Sequence, residues 1–310
     1  MQNFYVPYQH VELLGRTEVE GILDGVVSVQ TKIDGSNGVL WLQDGKLHAG
    51  SRKRELRLDD DNHKFFANIV KEDKYLKYLK DHPTHFLYGE WLIPHSIKGY
   101  NPNAWRKFYV FDVFEAEGEI YDKGNGKRYG KYIPYKEYSK ELDKYGIEYI
   151  PEIAELDHPT VEEVAGCIKK SHFLMPEDGV PEGVVIKNYS YRNKYGRTTW
   201  AKIISEDFYS TKKDNHPKPD IDNGFEVSIA NEYITASLIR KEYAKIINDY
   251  PNAKREELIG RTLNGVFDAF LDDSLVYLIK KNKKCTINFA WLKKESDNKV
   301  KEVLKEELFM

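Results

Sequence analysis

Residues 25–54 read GVVSVQTKIDGSNGVLWLQDGKLHAGSRKR, and this stretch decides the fold. VVSVQTKI, GVLWL and KLHAGS are short β-branched and apolar runs of strand length. Asp44-Gly45 joins the last two, a dipeptide that favours the turn of a two-residue hairpin. Lys32 stands at a strand end, with an Asp-Gly turn at Asp34 and Gly35 directly behind it.

Further strands are expected at HFLYGEWLI (85–93), KFYVFDVF (107–114) and GVVIKNY (183–189). Helical spacing of Phe65, Phe66, Ile69, Val70, Leu76 and Leu79 predicts one helix between His63 and Lys80, and further helices are expected at about 134–146 and 159–173. GNGKRYG (124–130) reads as a turn, because no GxxxxGK followed by Ser or Thr is present. After the Pro- and charge-rich stretch KKDNHPKPDIDNG (212–224) the character becomes helical. Ile229, Tyr233, Ala236, Ile239, Tyr243 and Ile246 repeat at three and four, as do Leu258, Leu263, Phe267, Phe270, Leu271 and Leu275, and a last amphipathic stretch runs from about Phe289 to Leu308.

With 310 residues, 41% hydrophobic and 13% aromatic, the chain suits two soluble domains, with no membrane-length apolar run and no secretory leader. Cys167 and Cys285 are the only cysteines, which supports neither a disulfide framework nor a cysteine zinc site and fits a reducing cytoplasm. The nine histidines show no HExxH spacing, and His82 and His85 read as loop residues. A net charge of −3 argues against indiscriminate coating of nucleic acid. Charge is nonetheless uneven: between Lys187 and Lys218 eight basic residues face three acidic ones, a local excess of five, and Arg52, Lys53, Arg54 and Arg57 surround Glu55. Isolated charge runs are usually solvated faces, but these adjoin other signals.

The other signals come in a fixed order. Lys32-Ile33-Asp34-Gly35 is followed by Ser51-Arg52, Tyr88-Gly89-Glu90-Trp91, Phe108-Tyr109-Val110-Phe111-Asp112, Glu182-Gly183-Val184-Val185-Ile186-Lys187 and Ala201-Lys202. This series resembles the covalent nucleotidyltransferases, the superfamily of DNA ligases, RNA ligases and capping guanylyltransferases. The resemblance implies an α+β fold: a nucleotidyltransferase domain of antiparallel sheets flanked by helices over 1–215, with a small all-helical C-terminal domain over 216–310. A helical end in place of a β-barrel resembles the RNA ligase 2 family.

What the resemblance implies is an ATP-dependent RNA ligase, with Lys32 taking AMP from ATP, passing it to an RNA 5′-phosphate, and a 3′-hydroxyl displacing it. The implied partner is RNA with 5′-phosphate and 3′-hydroxyl ends, a nicked duplex foremost, with Mg²⁺ or Mn²⁺ as cofactor. Thr31, Ile33, Asn37, Arg52, Glu90, Phe111, Lys187 and Lys202 are implied beside the nucleotide, and Glu182 near the metal or the lysine. A DNA ligase, a capping enzyme and a non-catalytic nucleic-acid-binding protein on the same scaffold are the alternatives.

Residue chemistry fits these roles. A lysine amine attacks phosphorus only when unprotonated, so nearby cations, Lys187, Lys202 and Mg²⁺, are expected to lower its pKa. Arg52 offers a planar fork, Glu90 can accept from ribose hydroxyls, and Phe111 offers a face for a purine or packs in the core. The family's terminal strand usually carries Lys-x-Lys; here Lys202 has Trp200 on one side and Ile204 on the other. Strand alternation expects Tyr88, Glu90 and Leu92 on one face and Tyr109, Phe111 and Val113 on another, with Asp112 pointing away from Phe111. Glu182 and Lys187 differ in parity, so either Glu182 precedes its strand or a bulge intervenes.

Overall fold

A computed structural model describes residues 5–52, 54–94, 100–122, 127–176, 179, 181–205, 224–281 and 286–309. The 212–224 stretch up to Asn223, together with Lys283, Lys284 and Cys285, lies outside them. The chain forms two compact units, Met1–Ile93 with Gly99–Glu206, and Pro94–Lys98 with Asp207–Met310.

The first unit carries two sheets. One has the order β1 (Glu12–Leu13), β11 (Ala201–Ile204), β10 (Gly183–Lys187), β2 (Val26–Lys32), β9 (Glu152–Asp157). Its pairs are antiparallel apart from the two-residue β1, which runs parallel to β11. The other sheet has the order β5 (Glu55–Leu56), β4 (Lys46–Ser51), β3 (Ser36–Gln43), β6 (His85–Trp91), β7 (Phe108–Asp122), β8 (Lys127–Ile133), antiparallel throughout. The β3–β4 hairpin turns at Asp44 and Gly45 with φ of 51° and 71°, the double positive φ that its Asp-Gly pair supplies at low strain.

Alternation along the six-stranded sheet divides its core. Leu40, Leu87, Trp91, Phe108, Val110 and Val113 pack against helices, while Val39, Trp41, Phe86, Tyr88 and Phe114 pack with Val6, Tyr8 and Trp200 on the other side. The covering helices are α1 (Phe65–Ile69), α2 (Asp73–Asp81) and α3 (Tyr135–Tyr145). The single helix expected over 63–80 is therefore two. Asp61 accepts from Phe66 N and Ala67 N at 2.9 Å to start α1, and Glu72 turns extended (φ −111°, ψ 103°) before α2 begins. The short helix α4 (Val161–Gly166) opens with a capping box between Thr160 and Glu163.

The second unit is helical: α5 (Phe225–Tyr233), α6 (Ala236–Asp249), α7 (Arg255–Lys281) and α8 (Phe289–Val303). Its core gathers Ile229, Ile239, Val266, Phe270, Leu292 and Val300. The repeat from Ile229 to Ile246 is interrupted at Ile234, after which the Thr235 hydroxyl accepts from Leu238 N and restarts the helix. Among the described residues no helix is long and apolar enough to cross a membrane.

Candidate active site

Lys32 is the last residue of β2, where it pairs with Gly183. Register places Ser28, Gln30 and Lys32 on one face of the sheet with Val185, Lys187 and, across β11, Lys202. Thr31 pairs with Val184 on the opposite face, so it offers the Lys32 side its main chain. Glu182 precedes β10, which removes the parity conflict with Lys187. Gly183 follows it at φ 153°, where a Cβ would meet Ile203 O at 2.1 Å; only glycine fits the turn that aims Glu182.

Lys32 Nζ lies 2.8 Å from Glu182 Oε1, with the two side chains 23% and 9% exposed. Behind Lys32 the chain passes close to β6: a Cβ on Gly35 would fall 2.4 Å from Trp91 O, and Gly35 N donates to Glu90 Oε1 at 2.9 Å. Asp34 N donates to the Tyr100 hydroxyl at 2.9 Å. Ile33 is buried with Leu92, Tyr100, Tyr109 and Met175. Asn37 pairs with Glu90 across β3 and β6, and its Oδ1 is buried with no hydrogen-bond partner among the described residues.

The electrostatics reverse one expectation. Burial pulls the Lys32 pKa down, but the carboxylates of Glu182, Glu90 and Asp34 outweigh it and raise the pKa above the ordinary lysine range. Lys187 and Lys202 are not what governs it, because Lys187 spends its charge elsewhere. Glu90 is pushed up to about 7, by desolvation first, against the opposing pull of Lys32 and the Gly35 N–H.

Lys187 Nζ lies 2.8 Å from Asp112 Oδ1, donates to Phe111 O, and sits 5.6 Å from the Phe111 ring centroid. Burial lowers its pKa against the raising effect of Asp112. The expectation that Asp112 points away from Phe111, and that Val113 shares the Phe111 face, is corrected by a bulge. Tyr88 pairs with Asp112 and Gly89 with Val110, which leaves Phe111 as the extra residue of β7. Val113 therefore joins Val110 on the helix side, and the freed Phe111 carbonyl accepts from Lys187 and from the Tyr138 hydroxyl at 3.0 Å. The Phe111 ring is half-buried, 4.8 Å from that of Tyr8.

Several participants carry no motif signal. The Tyr8 hydroxyl donates to Asp112 Oδ2, as does Trp200 Nε1 at 3.1 Å. Gln30, on the Lys32 face, donates to the Tyr138 hydroxyl at 2.7 Å and to Ile150 O at 3.1 Å. Arg52 is exposed, and with Lys202 and Arg16 it acts electrostatically on His10.

Among the described residues no group of three or more His, Cys, Asp or Glu side chains forms a cation cage. Glu182 and its carboxylate neighbours still suit Mg²⁺ or Mn²⁺, which is held through one or two carboxylates together with substrate phosphates and water.

The RNA ligase family model matches residues 25–204, which spans every motif residue from Lys32 to Lys202. No curated protein matches the chain. Among solved structures, an apo mutant of the Naegleria gruberi RNA ligase is 20% identical with a TM-score of 0.47, covering 69% of this chain and 60% of that one. An archaeal ATP-dependent RNA ligase is 17% identical with a TM-score of 0.47, covering 86% and 64%. A putative ATP-dependent DNA ligase from Aquifex aeolicus is 14% identical with a TM-score of 0.48, covering 97% and 68%. The Naegleria ligase has also been solved with ATP and Mn. This chain spans about 60% of the length of the Naegleria protein. By the match over residues 25–204, more than half its length, the chain belongs to the RNA ligase family.

Proposed function

We propose that the chain is an ATP-dependent RNA ligase that joins 3′-hydroxyl and 5′-phosphate RNA ends, with Lys32 as the nucleophile. The observation that carries the reading is the Lys32–Glu182 contact at 2.8 Å, on a sheet face that also presents Lys187 and Lys202.

Lys32 attacks the α-phosphorus of ATP, forming a P–N bond as the bond to the β-phosphate oxygen breaks and pyrophosphate leaves. The amine proton leaves through Glu182, whose oxygen already accepts from it. An oxygen of the RNA 5′-phosphate then displaces Lys32 from phosphorus, and the 3′-hydroxyl attacks that 5′-phosphate with release of AMP. Glu182 and the substrate phosphates would hold Mg²⁺ or Mn²⁺, which when bound supplies positive charge against the phosphate oxygens and the carboxylates that raise Lys32. Phe111 stacks the adenine, Glu90 accepts from the ribose, and Asn37 Oδ1 gains a donor from the bound nucleotide. Arg52 and Lys202 serve the phosphates. Lys187 is held by Asp112 until nucleotide phosphates compete for it.

The helical second unit carries none of the nucleotide motifs, and engagement of the polynucleotide, a nicked duplex foremost, is assigned to it. The reaction belongs in the cytoplasm on this reading, in keeping with two cysteines in 310 residues. Incubation with α-labelled ATP or GTP tests the reading: label from ATP on Lys32, followed by sealing of 5′-phosphate RNA, is expected. Label from GTP indicates a capping enzyme, and no label a binding module.

A further inference from the structure

The loop between β10 and β11 is the described part of the basic run that the nucleotide site does not absorb. Asn188 to Ala201 contains Arg192, Lys194 and Arg197 and no acidic residue. Arg192, Lys194, Tyr195 and Arg197 are exposed, Tyr195 at 64%, and Lys194 Nζ lies 5.5 Å from the Tyr195 ring centroid.

A solvating charge run needs no fixed shape, but this loop is braced at tip and root. Asn193 Oδ1 accepts from Tyr195 N at 3.0 Å and Arg197 N at 3.1 Å, Gly196 N donates to Asn193 O at 2.7 Å, and Gly196 takes φ 69°. At the root the Tyr191 hydroxyl donates to Glu20 O at 2.7 Å, and Asn188 Nδ2 donates to Ile22 O at 3.1 Å and Asp24 O at 3.2 Å. Arg192 donates to Tyr191 O at 2.8 Å, which holds its guanidinium and leaves further N–H groups to donate. Lys194, Arg197 and the Tyr195 ring are thus presented at the tip with little ordering left to do on binding.

We propose that this loop is a contact surface for the RNA strand, remote from the reacting ends, with Lys194 and Arg197 meeting phosphates and Tyr195 a base or ribose. The inference rests on the RNA ligase reading above. Charge complementarity selects a polyanion, and an exposed tyrosine beside cations is the pairing that serves single-stranded or fraying nucleic acid. Phosphates belong at the tip, because the cavity at the loop's root is charge-balanced, with Lys131 and Arg192 against Glu115 and Glu137.

Position gives the contact a scale. Lys32 pairs at the Gly183 end of β10, whereas the loop leaves from the Lys187 end. Four steps of about 3.3 Å from Gly183 to Lys187 separate the two ends by about 13 Å. Along an RNA strand that distance amounts to several nucleotides from the joined end.

The test uses the full chain with Lys194→Glu, Tyr195→Ala and Arg197→Glu combined, and Lys71→Glu with Lys77→Glu as an equal charge change at exposed positions elsewhere. The loop variant is expected to take AMP label as the wild type does. Its Kd for RNA rises at least about tenfold, and the slope of log Kd against log salt falls by about 2, near 0.9 per lost phosphate contact. On RNA arms of about three nucleotides loop variant and wild type bind alike. Unchanged RNA affinity, or an equal loss in the Lys71→Glu/Lys77→Glu protein, overturns the proposal. Because labelling is read separately, a wild type that labels while the loop variant binds RNA normally sinks the loop alone. A wild type that neither labels nor binds RNA sinks the ligase reading with it.

Discussion

Lys32 Nζ and Glu182 Oε1 stand 2.8 Å apart although 150 positions separate them in the chain, because β2 and β10 pair at Lys32 and Gly183. The contact keeps the nucleophile protonated in the ligand-free protein, since Glu182 is the foremost of the three carboxylates that raise its pKa. Lys32→Ala is expected to abolish AMP labelling in a protein that still folds and still seals a pre-adenylylated nick. Robust labelling of that variant, read on a denaturing gel, would remove Lys32 from the mechanism.

Glu182→Gln separates two effects. Loss of its negative charge lowers the Lys32 pKa, so the rising limb of the labelling-rate profile moves to lower pH. The plateau rate falls as well, because the acceptor for the amine proton is gone. A plateau loss with an unmoved limb would show that Glu182 serves the metal or the substrate and leaves the lysine alone.

Glu90 gives a stability prediction with a definite sign. Its folded pKa of about 7 lies above the ordinary glutamate value of 4.5, so the folded chain binds the extra proton between those values. Stability therefore falls as pH rises across that interval and levels off above it. Glu90→Gln keeps an acceptor for Gly35 N and removes the buried charge. The variant's unfolding free energy should match the wild type near pH 4 and exceed it increasingly up to about pH 8, by at most about 3 kcal/mol at 1.36 kcal/mol per unit, read as a widening gap in Tm. Parallel Tm curves would mean that Glu90 is ionised without penalty.

The strands that carry the candidate site were legible because turn and strand signals are local. Asp44-Gly45 dictated its hairpin, whereas the choice between Glu182 preceding its strand and a bulge was open in the sequence and is decided by β10 beginning at Gly183. What was not legible depends on partners far along the chain. The bulge at Phe111 exists only relative to Tyr88 and Gly89, so counting parity within β7 assigned Asp112 and Val113 to the wrong faces. Tyr8 reaches Asp112 across 104 positions with no pattern to mark it. The part of the Lys32 expectation that rested on Lys187 and Lys202 fails for the same reason: the fold brings Glu182, 150 positions away, and Glu90 to the lysine, and Asp112 to Lys187. Helix breaks at Val70 and Ile234 escaped periodicity because the apolar spacing continues through them.

Phe111 is half-buried against Tyr8, which leaves part of its ring available for a purine. Phe111→Ala should raise the ATP concentration needed for half-maximal labelling by roughly 5- to 150-fold, equivalent to 1–3 kcal/mol of stacking. Phe111→Tyr should restore most of it. An unchanged ATP requirement in a folded Phe111→Ala protein would make the ring a packing residue.

The Asp112–Lys187 pair predicts a difference between two variants, since their side chains are 0% and 1% exposed. Asp112→Ala leaves a cation buried without its counter-charge and withdraws the acceptor used by the Tyr8 hydroxyl and Trp200 Nε1. It should cost on the order of 3–5 kcal/mol in denaturant unfolding. Asp112→Asn combined with Lys187→Met removes both charges, keeps a side-chain oxygen for Tyr8 and Trp200, and retains the length of the Lys187 stem. That double variant should be more stable than Asp112→Ala by about 2 kcal/mol or more, yet label poorly with AMP because Lys187 is gone. If instead the double variant is as unstable as Asp112→Ala, the cost comes from the hydrogen bonds of Tyr8 and Trp200 and the buried charge is tolerated. If it labels normally, Lys187 serves the fold of β7 and β10 and has no part in binding the nucleotide phosphates.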